Sequence, residues 1–310
     1  MDIVFFGSPD FGLPALSAVM KSRHNIRLVV TRPDSRAGRG RGKKSTPVKE
    51  FCLRKGLKSI IETNDLNNDA FIDQLKRYPN SLFLVIGFKI LPSEVLCIPE
   101  KGAVNLHASL LPRYRGAAPV NWAVVNGERE TGNTVFFLDK GVDTGNIILQ
   151  SPTIIKESET AGDLYERLSL MGRDDVLRAL DMIEGGTVEP LPQDSRKACP
   201  APKLRKKDGR IVWSEKALQL RNKVRGFNPY PGCFSELRGR RIKILKAENT
   251  GVLKTGFPGS IAWASAEEGL GINTGDYVLK IIELQPENKK KMTAKDFLLG
   301  SNLRQGEILE

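Results

Sequence analysis

The chain has 310 residues, of which 40% are hydrophobic and 27% charged, and its formal net charge is +12. This length suits two domains with a sizeable core, and the composition is that of an ordinary soluble protein. No apolar run approaches the roughly 20 residues of a membrane-spanning helix, which excludes a membrane span. A first strand that starts at Asp2 leaves no room for a targeting segment in front of it, so we expect none.

The four cysteines indicate neither a metal site nor a disulfide framework. Cys52, Cys97, Cys199 and Cys233 are scattered, without the paired spacing of metal ligands or the density of a disulfide-rich domain. We therefore expect free, reduced thiols and no bound metal. The surplus of Lys and Arg is more informative, because basic residues that cluster on a surface attract polyanions.

The chain begins with a strand-turn-helix unit, in which a buried strand over Asp2–Gly7 precedes a helix over Phe11–Met20. The turn contains neither G-x-G-x-x-G nor G-x-x-x-x-G-K-[ST], so a dinucleotide site and a P-loop lose their main support. His24 follows the helix, and we expect it to be a solvated loop residue.

A long loop from Thr31 to Pro47 follows the second predicted strand, Ile26–Val30, and alternates cations with glycines. Glycine allows many conformations, and Arg and Lys side chains are good phosphate donors. We expect the loop to be disordered alone and to become ordered on a polyanion, with an idle solvated loop as the alternative. Its candidate phosphate-binding residues are Arg36, Arg39, Arg41, Lys43 and Lys44.

Strands and helices then alternate, which predicts an α/β fold with a mostly parallel sheet covered on both faces. The predicted strands are Ser59–Ile61, Leu82–Ile86, Gly102–Leu106, Thr134–Leu138 and Asn146–Ile155, and the predicted helices are Val48–Lys55, Asp69–Tyr78, Pro119–Val125 and Leu164–Ile183.

Two polar residues, Asn105 and His107, lie two positions apart at the end of one predicted strand. Residues two apart share a face of a strand, so an amide and an imidazole would project together where open α/β sheets have their ligand crevices. Asp143, in a turn flanked by glycines, follows downstream. From spacing alone, a strand-end histidine satisfied by its neighbours is an equally good interpretation.

The composition changes from Thr187 to Lys207, where prolines and cations accumulate, and this change predicts a basic interdomain linker. Short β-like runs with turn residues between them follow from Cys233 to Leu284, and they suggest a small β-barrel. The candidate phosphate-binding residues of the linker are Lys203, Lys206 and Lys207.

Three motifs together resemble the signature of the folate-dependent formyltransferases. They are Asn105-Leu106-His107, then Ser109-Leu110-Leu111-Pro112 with Tyr114-Arg115-Gly116, then Gly141-Val142-Asp143-Thr144-Gly145. The similarity covers nearly the whole chain, more loosely after Pro231, and is greatest to the members that act on methionyl-tRNA. It implies a Rossmann-like catalytic domain at 1–188, a basic linker at 189–208 and an OB-like tRNA-binding domain at 209–310.

The resemblance also implies an activity: direct transfer of a formyl group from 10-formyltetrahydrofolate to the amino group of methionyl initiator tRNA, without a metal. In such a reaction, through a tetrahedral intermediate, Asn105 suits the oxyanion donor, His107 the proton carrier and Asp143 the group that orients His107. The implied folate-binding residues are Phe88, Lys89, Ile90, Leu91, Ser109, Leu110, Leu111, Pro112, Asp139, Gly141 and Val142, and the implied tRNA-binding residues are the cations of the basic loop and linker named above.

Two alternatives stay open. The first is a formyltransferase acting on an amino sugar nucleotide, which the basic loop and linker disfavour because such a substrate has too little phosphate to use both. The second is a nucleic-acid-binding module on an inactive scaffold, which the intact Asn105, His107 and Asp143 disfavour. We expect a monomer in the bacterial cytoplasm.

Overall fold

The structure, a computed structural model, describes residues 1–37 and 42–310. The chain divides into two compact units. Unit 1 consists of Met1–Gly116, Thr131–Ile154 and Tyr165–Pro200, and unit 2 of Ala117–Glu130, Ile155–Leu164 and Ala201–Glu310.

Helices alternate with strands in the first half of the chain, and strands dominate the last third. The strands are β1 (Asp2–Gly7), β2 (Asn25–Thr31), β3 (Ser35–Ala37), β4 (Gly42–Lys44), β5 (Ile60–Glu62), β6 (Leu82–Ile86), β7 (Ala103–His107), β8 (Arg115–Gly116), β9 (Glu130–Phe137), β10 (Ile147–Ile154), β11 (Pro200–Ala201), β12 (Cys233–Leu237), β13 (Arg240–Leu253), β14 (Ile261–Ser265), β15 (Gly269–Asn273), β16 (Tyr277–Pro286) and β17 (Met292–Thr293). The α-helices are α1 (Leu13–Lys21), α2 (Pro47–Arg54), α3 (Asp69–Leu75), α4 (Ser93–Leu96), α5 (Pro119–Val125), α6 (Ala161–Glu184), α7 (Ala217–Gly226) and α8 (Ala294–Leu299), and short 3-10 helices cover Asp10–Gly12, Ser195–Lys197 and Lys206–Gly209. Within the described ranges, no helix combines the length and apolar character that crossing a membrane requires.

Unit 1 contains a seven-stranded sheet in the order β10-β9-β7-β6-β1-β2-β5. The pairs from β5 through β7 are parallel, whereas β9 runs antiparallel to β7. The central strands β1 and β6 are apolar runs buried on both faces, as a helix-covered parallel sheet requires. The predicted α/β class with a mostly parallel sheet is therefore confirmed.

Unit 2 contains a six-stranded sheet in the order β12-β13-β16-β15-β14, with β17 paired to β16, and all of its pairs are antiparallel. Alternate residues of β12 are buried, which is the period of a strand with one face on the core. That core includes Leu220 and Val224 of α7 together with Ile244 and Ile281 of the sheet. The predicted second, β-rich region of the fold is likewise confirmed.

The parallel strands of unit 1 bring their carboxyl ends to one edge of the sheet, where β6 ends at Ile86 and the adjacent β7 ends at His107. Gly87 follows β6 with a φ of 62°, and a Cβ added there would lie 2.4 Å from Pro9 Cγ. Only glycine fits this conformation and this spacing. The chain can therefore turn sharply at the edge where the polar residues of β7 end.

His24 is buried, so the prediction that it is a solvated loop residue is wrong. Only 3% of the residue is exposed, because the end of α6 and the amino terminus cover it. Its Nε2 lies 3.3 Å from Asp181 Oδ1, and the Met1 ammonium donates to its Nδ1 at 3.2 Å. Burial lowers the pKa of His24, and the neighbouring ammonium lowers it further.

The two ends of the basic loop pair with each other as short strands, whereas we expected the loop to be disordered alone. Strands β3 and β4 form an antiparallel hairpin in which Arg36 lies opposite Lys43. Near one end of the loop, Lys49 Nζ lies 2.8 Å from Asp34 Oδ1 and 2.8 Å from Glu62 Oε1. The middle of the loop, with the predicted Arg39 and Arg41, lies outside the described residues.

A buried polar network joins α6 to β9 and β10. Asp175 Oδ2 accepts from Asn133 Nδ2 at 2.9 Å, and Asp175 Oδ1 accepts from the Ser151 hydroxyl. The same amide group donates to Leu168 O at 2.9 Å. Asn133 is fully buried and Asp175 is 6% exposed, so water cannot replace a donor that is removed.

We predict that Asn133→Ala lowers the free energy of unfolding by about 3 kcal/mol, because it leaves two buried acceptors, one on a carboxylate, without their donor. The thermal midpoint should then fall by roughly 6–12 °C for a unit of this size. Asn67→Ala, at an exposed position of the same unit, is the matched control and should move the midpoint by less than about 2 °C. If Asn133→Ala lowered the thermal midpoint by no more than the control does, the role of the network would be contradicted.

Candidate active site

A crevice opens in unit 1 at the carboxyl edge of the sheet, between the loop after β6 and the turn after β9. Its lining includes Phe88, Lys89, Ile90, Leu91, Asn105, Asp139, Gly141, Val142 and Asp143. Its volume is about 70 Å³, well below the roughly 300–1,000 Å³ of ordinary ligand pockets, so a large ligand would sit inside it only in part. Apolar walls with a few polar atoms are the usual composition of a ligand site.

Asn105 and His107 lie in the last part of β7, and of the two only Asn105 lines the crevice. Asn105 pairs with Val85 of β6 and Phe136 of β9, and its half-buried side chain lines the crevice. His107 is the last residue of the strand and is 7% exposed. Because the two are separated by one residue on a strand, they belong to the same face of the sheet.

The imidazole of His107 has a defined orientation. Its Nε2 lies 2.9 Å from the backbone oxygen of Tyr114. A carbonyl oxygen can only accept a hydrogen bond, so Nε2 is the donor and carries a hydrogen. In the neutral ring, Nδ1 is therefore the nitrogen with the free lone pair.

Asp143 lies on the other side of the ring. Its Oδ2 is 3.7 Å from His107 Nδ1, which is too long for a hydrogen bond and leaves an ion pair that forms when the ring is charged. The same oxygen accepts from Gly116 N at 2.8 Å, which fixes the carboxylate. A second proton on the ring would thus lie on Nδ1 and face a carboxylate held in place by the backbone.

The Asp143 turn, Asp139–Gly145, is held by its own side chains. Asp139 Oδ1 accepts from Gly141 N at 2.9 Å and from Thr144 Oγ1 at 2.6 Å. Asp143 itself has a φ of 54°, in the left-handed region that aspartate enters more readily than most residues. The turn therefore points one carboxylate at the end of β7.

The predicted folate-binding run Ser109–Pro112 lies beside the crevice without lining it. Ser109 and Leu111 are buried, Leu110 and Pro112 are half-buried, and the lining of the crevice contains none of them. A side chain of β9 holds the backbone of this run, because Thr134 Oγ1 donates to Ser109 O at 2.6 Å. In this structure the run supports the end of β7, whereas the other predicted folate-binding residues surround the crevice.

Three contacts of the site had no signal in the sequence patterns. Gln193 donates to the Asp143 backbone oxygen at 3.0 Å, although its segment was expected to be a linker. Gln150 Nε2 donates to Leu111 O at 2.9 Å, and it also donates to Thr134 Oγ1 at the same distance. Side chains that bind a backbone oxygen far along the chain follow no helix or strand period, so periodicity cannot reveal them.

The predicted polyanion-binding residues fall in several places. Lys43 and Lys44 are exposed on β4, while for Arg36 only the backbone is described and Arg39 and Arg41 lie outside the described residues. The predicted polyanion-binding residues of unit 2 are Lys203, Lys206 and Lys207. All three are exposed, and the last two lie in a 3-10 helix.

One group of described residues, His24 with Asp181 and Glu184, has the composition of a metal site, with ligand atoms within 4.8 Å of one another. The Met1 ammonium donates to His24 Nδ1, so the hydrogen of the neutral ring lies on Nε2, the nitrogen that faces Asp181. Arg23 Nη2 lies 2.8 Å from Asp181 and 3.1 Å from Glu184. Two cations already neutralise the carboxylates, and the group is best described as an ion-pair cluster.

A larger cavity, of about 830 Å³, lies in unit 2 between α5 and α7. Trp122, Leu218 and Phe227 supply much of its apolar lining, and Glu215 and Lys223 add an ion pair of 3.2 Å. None of the predicted site residues that the structure describes lines it. Size alone does not make it the reaction site, because no histidine lines it, whereas Asn105 and Asp143 line the crevice in unit 1 and His107 Nδ1 lies 3.7 Å from Asp143.

The chain matches two family models: "Formyl transferase" over residues 1–180 and "Formyl transferase, C-terminal domain" over residues 203–302. It is 39% identical to the methionyl-tRNA formyltransferase of Caldanaerobacter subterraneus subsp. tengcongensis over 100% of both chains. It is 41% identical to the methionyl-tRNA formyltransferase of Thermodesulfovibrio yellowstonii, over 98% of this chain and 97% of that protein.

Among solved structures, the fold is similar to that of WlaRD, a sugar 3N-formyl transferase crystallised in the presence of dTDP and 5-N-formyl-THF. The TM-score is 0.66 with 22% sequence identity, over 94% of this chain and 99% of that one. This likeness concerns the fold, whereas the sequence matches over the full length establish descent. The chain therefore belongs to the formyl transferase family, among the methionyl-tRNA formyltransferases.

Proposed function

We propose that this protein transfers the formyl group of 10-formyltetrahydrofolate to the free amino group of methionyl initiator tRNA and so serves the initiation of translation. One observation carries the proposal: relatives named methionyl-tRNA formyltransferase match the chain at 39% and 41% identity over 100% and 98% of its length. Such a match includes the C-terminal unit as well as the site in unit 1, so both the chemistry and the larger substrate are supported.

The proposed donor site is the crevice of unit 1. Its walls, Phe88–Leu91 on one side and Asp139, Gly141 and Val142 on the other, have the apolar surface and backbone groups that suit a flat heteroaromatic ring. The crystallised relative WlaRD was studied with a formylated tetrahydrofolate, which supports a folate as the co-substrate here. In this proposal the formyl group lies toward Asn105 and the rest of the folate extends out of the crevice.

The proposed chemistry is direct acyl transfer. The amine attacks the formyl carbon, and the Asn105 amide donates to the oxygen that becomes negative in the tetrahedral intermediate. The proton that the amine loses passes to His107 Nδ1, the nitrogen not engaged with Tyr114, and a proton is returned to the folate nitrogen as its bond to the formyl carbon breaks. Asp143 Oδ2, 3.7 Å from Nδ1, stabilises the ring while it carries both protons.

A covalent formyl-enzyme is not required by this arrangement. Among the described residues that line the crevice, none carries a hydroxyl or a thiol. The attacking group is an amine with an ordinary α-amino pKa of roughly 7.7–8.0, so part of it is already neutral near neutral pH. Positioning of the amine and stabilisation of the oxyanion then account for the rate.

The proposed tRNA contacts are the exposed cations Lys43, Lys44, Lys203, Lys206 and Lys207, together with the arginines of the basic loop, Arg36, Arg39 and Arg41. With them we propose a catalytic domain at 1–188, a basic linker at 189–208 and an RNA-binding domain at 209–310, in a monomer of the bacterial cytoplasm. A net charge of +12 favours the approach of a polyanion from a distance.

The second candidate is a formyltransferase that acts on an amino sugar nucleotide. The observation that favours it is the fold shared with WlaRD over 94% of this chain. The two candidates differ in the amine they accept, while the crevice and its chemistry would be the same. An assay with both acceptors therefore separates them.

We predict that Asn105→Ala lowers kcat for methionyl initiator tRNA by about 100- to 1,000-fold, because one oxyanion donor is lost. Folate release would be followed with three acceptors: methionylated initiator tRNA, uncharged tRNA and an amino sugar nucleotide. Asn67→Ala, exposed and outside the crevice, is the matched control and should keep full activity.

Formylation of the charged tRNA alone is the expected result for the unsubstituted protein. Activity with the amino sugar nucleotide alone would overturn the proposed acceptor. An Asn105→Ala protein as active as the Asn67→Ala control would overturn the proposed role of the amide.

We predict that replacing Lys203, Lys206 and Lys207 together by Ala raises KM for tRNA and leaves kcat unchanged, because these cations bind phosphate and not the reacting atoms. The slope of log K against log salt concentration should fall by about 0.7–0.9 for each phosphate that the variant no longer neutralises. The control removes the same charge from three exposed lysines of unit 1, Lys21, Lys58 and Lys101. Equal salt slopes for the two triple variants would argue against specific contacts at the linker.

A further inference from the structure

The segment Leu191–Cys199, which we call the strap, is anchored at both ends to the part of unit 1 that carries the site. Leu191 and Ile147 exchange two backbone hydrogen bonds, of 2.8 and 2.9 Å. At the other end, Cys199 O accepts from Arg115 N at 3.0 Å. The strap therefore has a fixed position beside the Asp143 turn, although its composition predicted a linker.

Gln193, in the middle of the strap, uses the whole hydrogen-bonding capacity of its amide. Its Oε1 accepts from Arg115 Nε at 3.1 Å and Nη2 at 2.6 Å. Its Nε2 donates to Asp143 O at 3.0 Å and to Gly145 O at 2.8 Å. The amide orientation follows from its partners, because a flipped group would set N–H against a guanidinium and oxygen against two carbonyls.

These contacts join the two backbone segments that hold the Asp143 carboxylate. The residue after Arg115 is Gly116, whose N–H donates to Asp143 Oδ2 at 2.8 Å. Gln193 thus fixes the Asp143 turn from its carbonyl side, while Gly116 fixes it from its carboxylate side. Without Gln193, two carbonyl oxygens lose their donor, and only Gly116 and the bonds within the turn hold the Asp143 carboxylate near His107.

We propose that Gln193 is a positioning residue for formyl transfer, acting through Asp143. Gln193 does not itself line the crevice, so its effect on the reaction passes through Asp143, the lining residue whose backbone oxygen accepts from it. The kinetic part of this inference rests on the proposed function, whereas its structural part, that Gln193 sets the geometry around His107, does not.

Two variants separate the contacts that Gln193 makes. Gln193→Glu keeps acceptors for Arg115 and replaces the donor that faces Asp143 O and Gly145 O by an oxygen. Gln193→Met has a similar length and removes all of the hydrogen bonds. The control is Ser195→Ala, at an exposed position of the same strap.

The kinetic test is a double-mutant cycle with Asp143→Asn, using 10-formyltetrahydrofolate and methionylated initiator tRNA. We expect Gln193→Glu and Gln193→Met to lower kcat on the order of 10- to 100-fold, the effect of a small misplacement of a reacting group. KM for both substrates should change by less than about threefold, since Gln193 is itself neither a lining residue of the crevice nor one of the proposed tRNA contacts. In the Asp143→Asn background the same substitutions should change kcat by less than about twofold.

A second measurement needs no substrate. The chain has two histidines, so the imidazole C–H signals of His107 and His24 can be followed by NMR and assigned with His107→Asn. We expect the Gln193 variants to move the His107 signals in the direction of Asp143→Asn and to leave the His24 signals in place. Ser195→Ala should move neither.

The outcomes are distinct. Unchanged His107 signals together with unchanged kcat would overturn the proposal, and so would a loss of kcat that is equally large in the Asp143→Asn background. If the unsubstituted protein formylates no methionyl-tRNA, the proposed function fails and the His107 signals alone decide the role of Gln193: movement supports it and no movement overturns it.

Discussion

The hydrogen bond from His107 Nε2 to the backbone oxygen of Tyr114 is the interaction on which the rest of the site depends. At 2.9 Å and almost without solvent exposure, it decides which ring nitrogen carries the hydrogen. The other nitrogen is thereby left free on the side of Asp143. Without this bond the ring would have no fixed tautomer, and no particular ring nitrogen would be available to accept the proton.

The carbonyl of Tyr114 is itself held by an unusual backbone. Tyr114 has a φ of 59°, a left-handed conformation that costs a bulky residue roughly 1–2 kcal/mol. Its N–H donates to Cys199 Sγ at 3.3 Å, and the preceding carbonyl, that of Arg113, accepts from Ser109 Oγ at 2.6 Å. The bonds of Thr134 and Gln150 fix the start of the same loop. A rigid support of this kind is what a site needs if a ring nitrogen is to stay within reach of a proton.

Much of this arrangement follows from the sequence. Short apolar runs between helical patterns predicted the parallel sheet, and the spacing of Asn105 and His107 predicted that they share a face. Asp143 was predicted in a different way, because only the motif around it, and no strand or helix period, indicated that it belongs to the site. Its closeness to His107 depends on a turn held by Asp139 and on backbone contacts with Gly116, and neither leaves a periodic pattern.

The contacts that the sequence patterns did not reveal have a common physical cause. His24 is buried by the end of α6, and the strap is anchored by Gln193 and Cys199 to residues far away along the chain. Proline and lysine content predicted a linker there because composition records flexibility and charge, whereas single side-chain contacts to distant backbone atoms are decided by tertiary structure. The same limit applies to Thr134 and Gln150, which look like ordinary strand residues.

The most direct test of this account is the tautomer of His107, read from the ring nitrogen signals by ¹⁵N NMR at a pH where the imidazole is neutral. The geometry predicts that the hydrogen lies on Nε2 and that Nδ1 has the chemical shift of an unprotonated nitrogen. A neutral ring with its hydrogen on Nδ1 would contradict the bond to Tyr114 and, with it, the proton path assigned to this site.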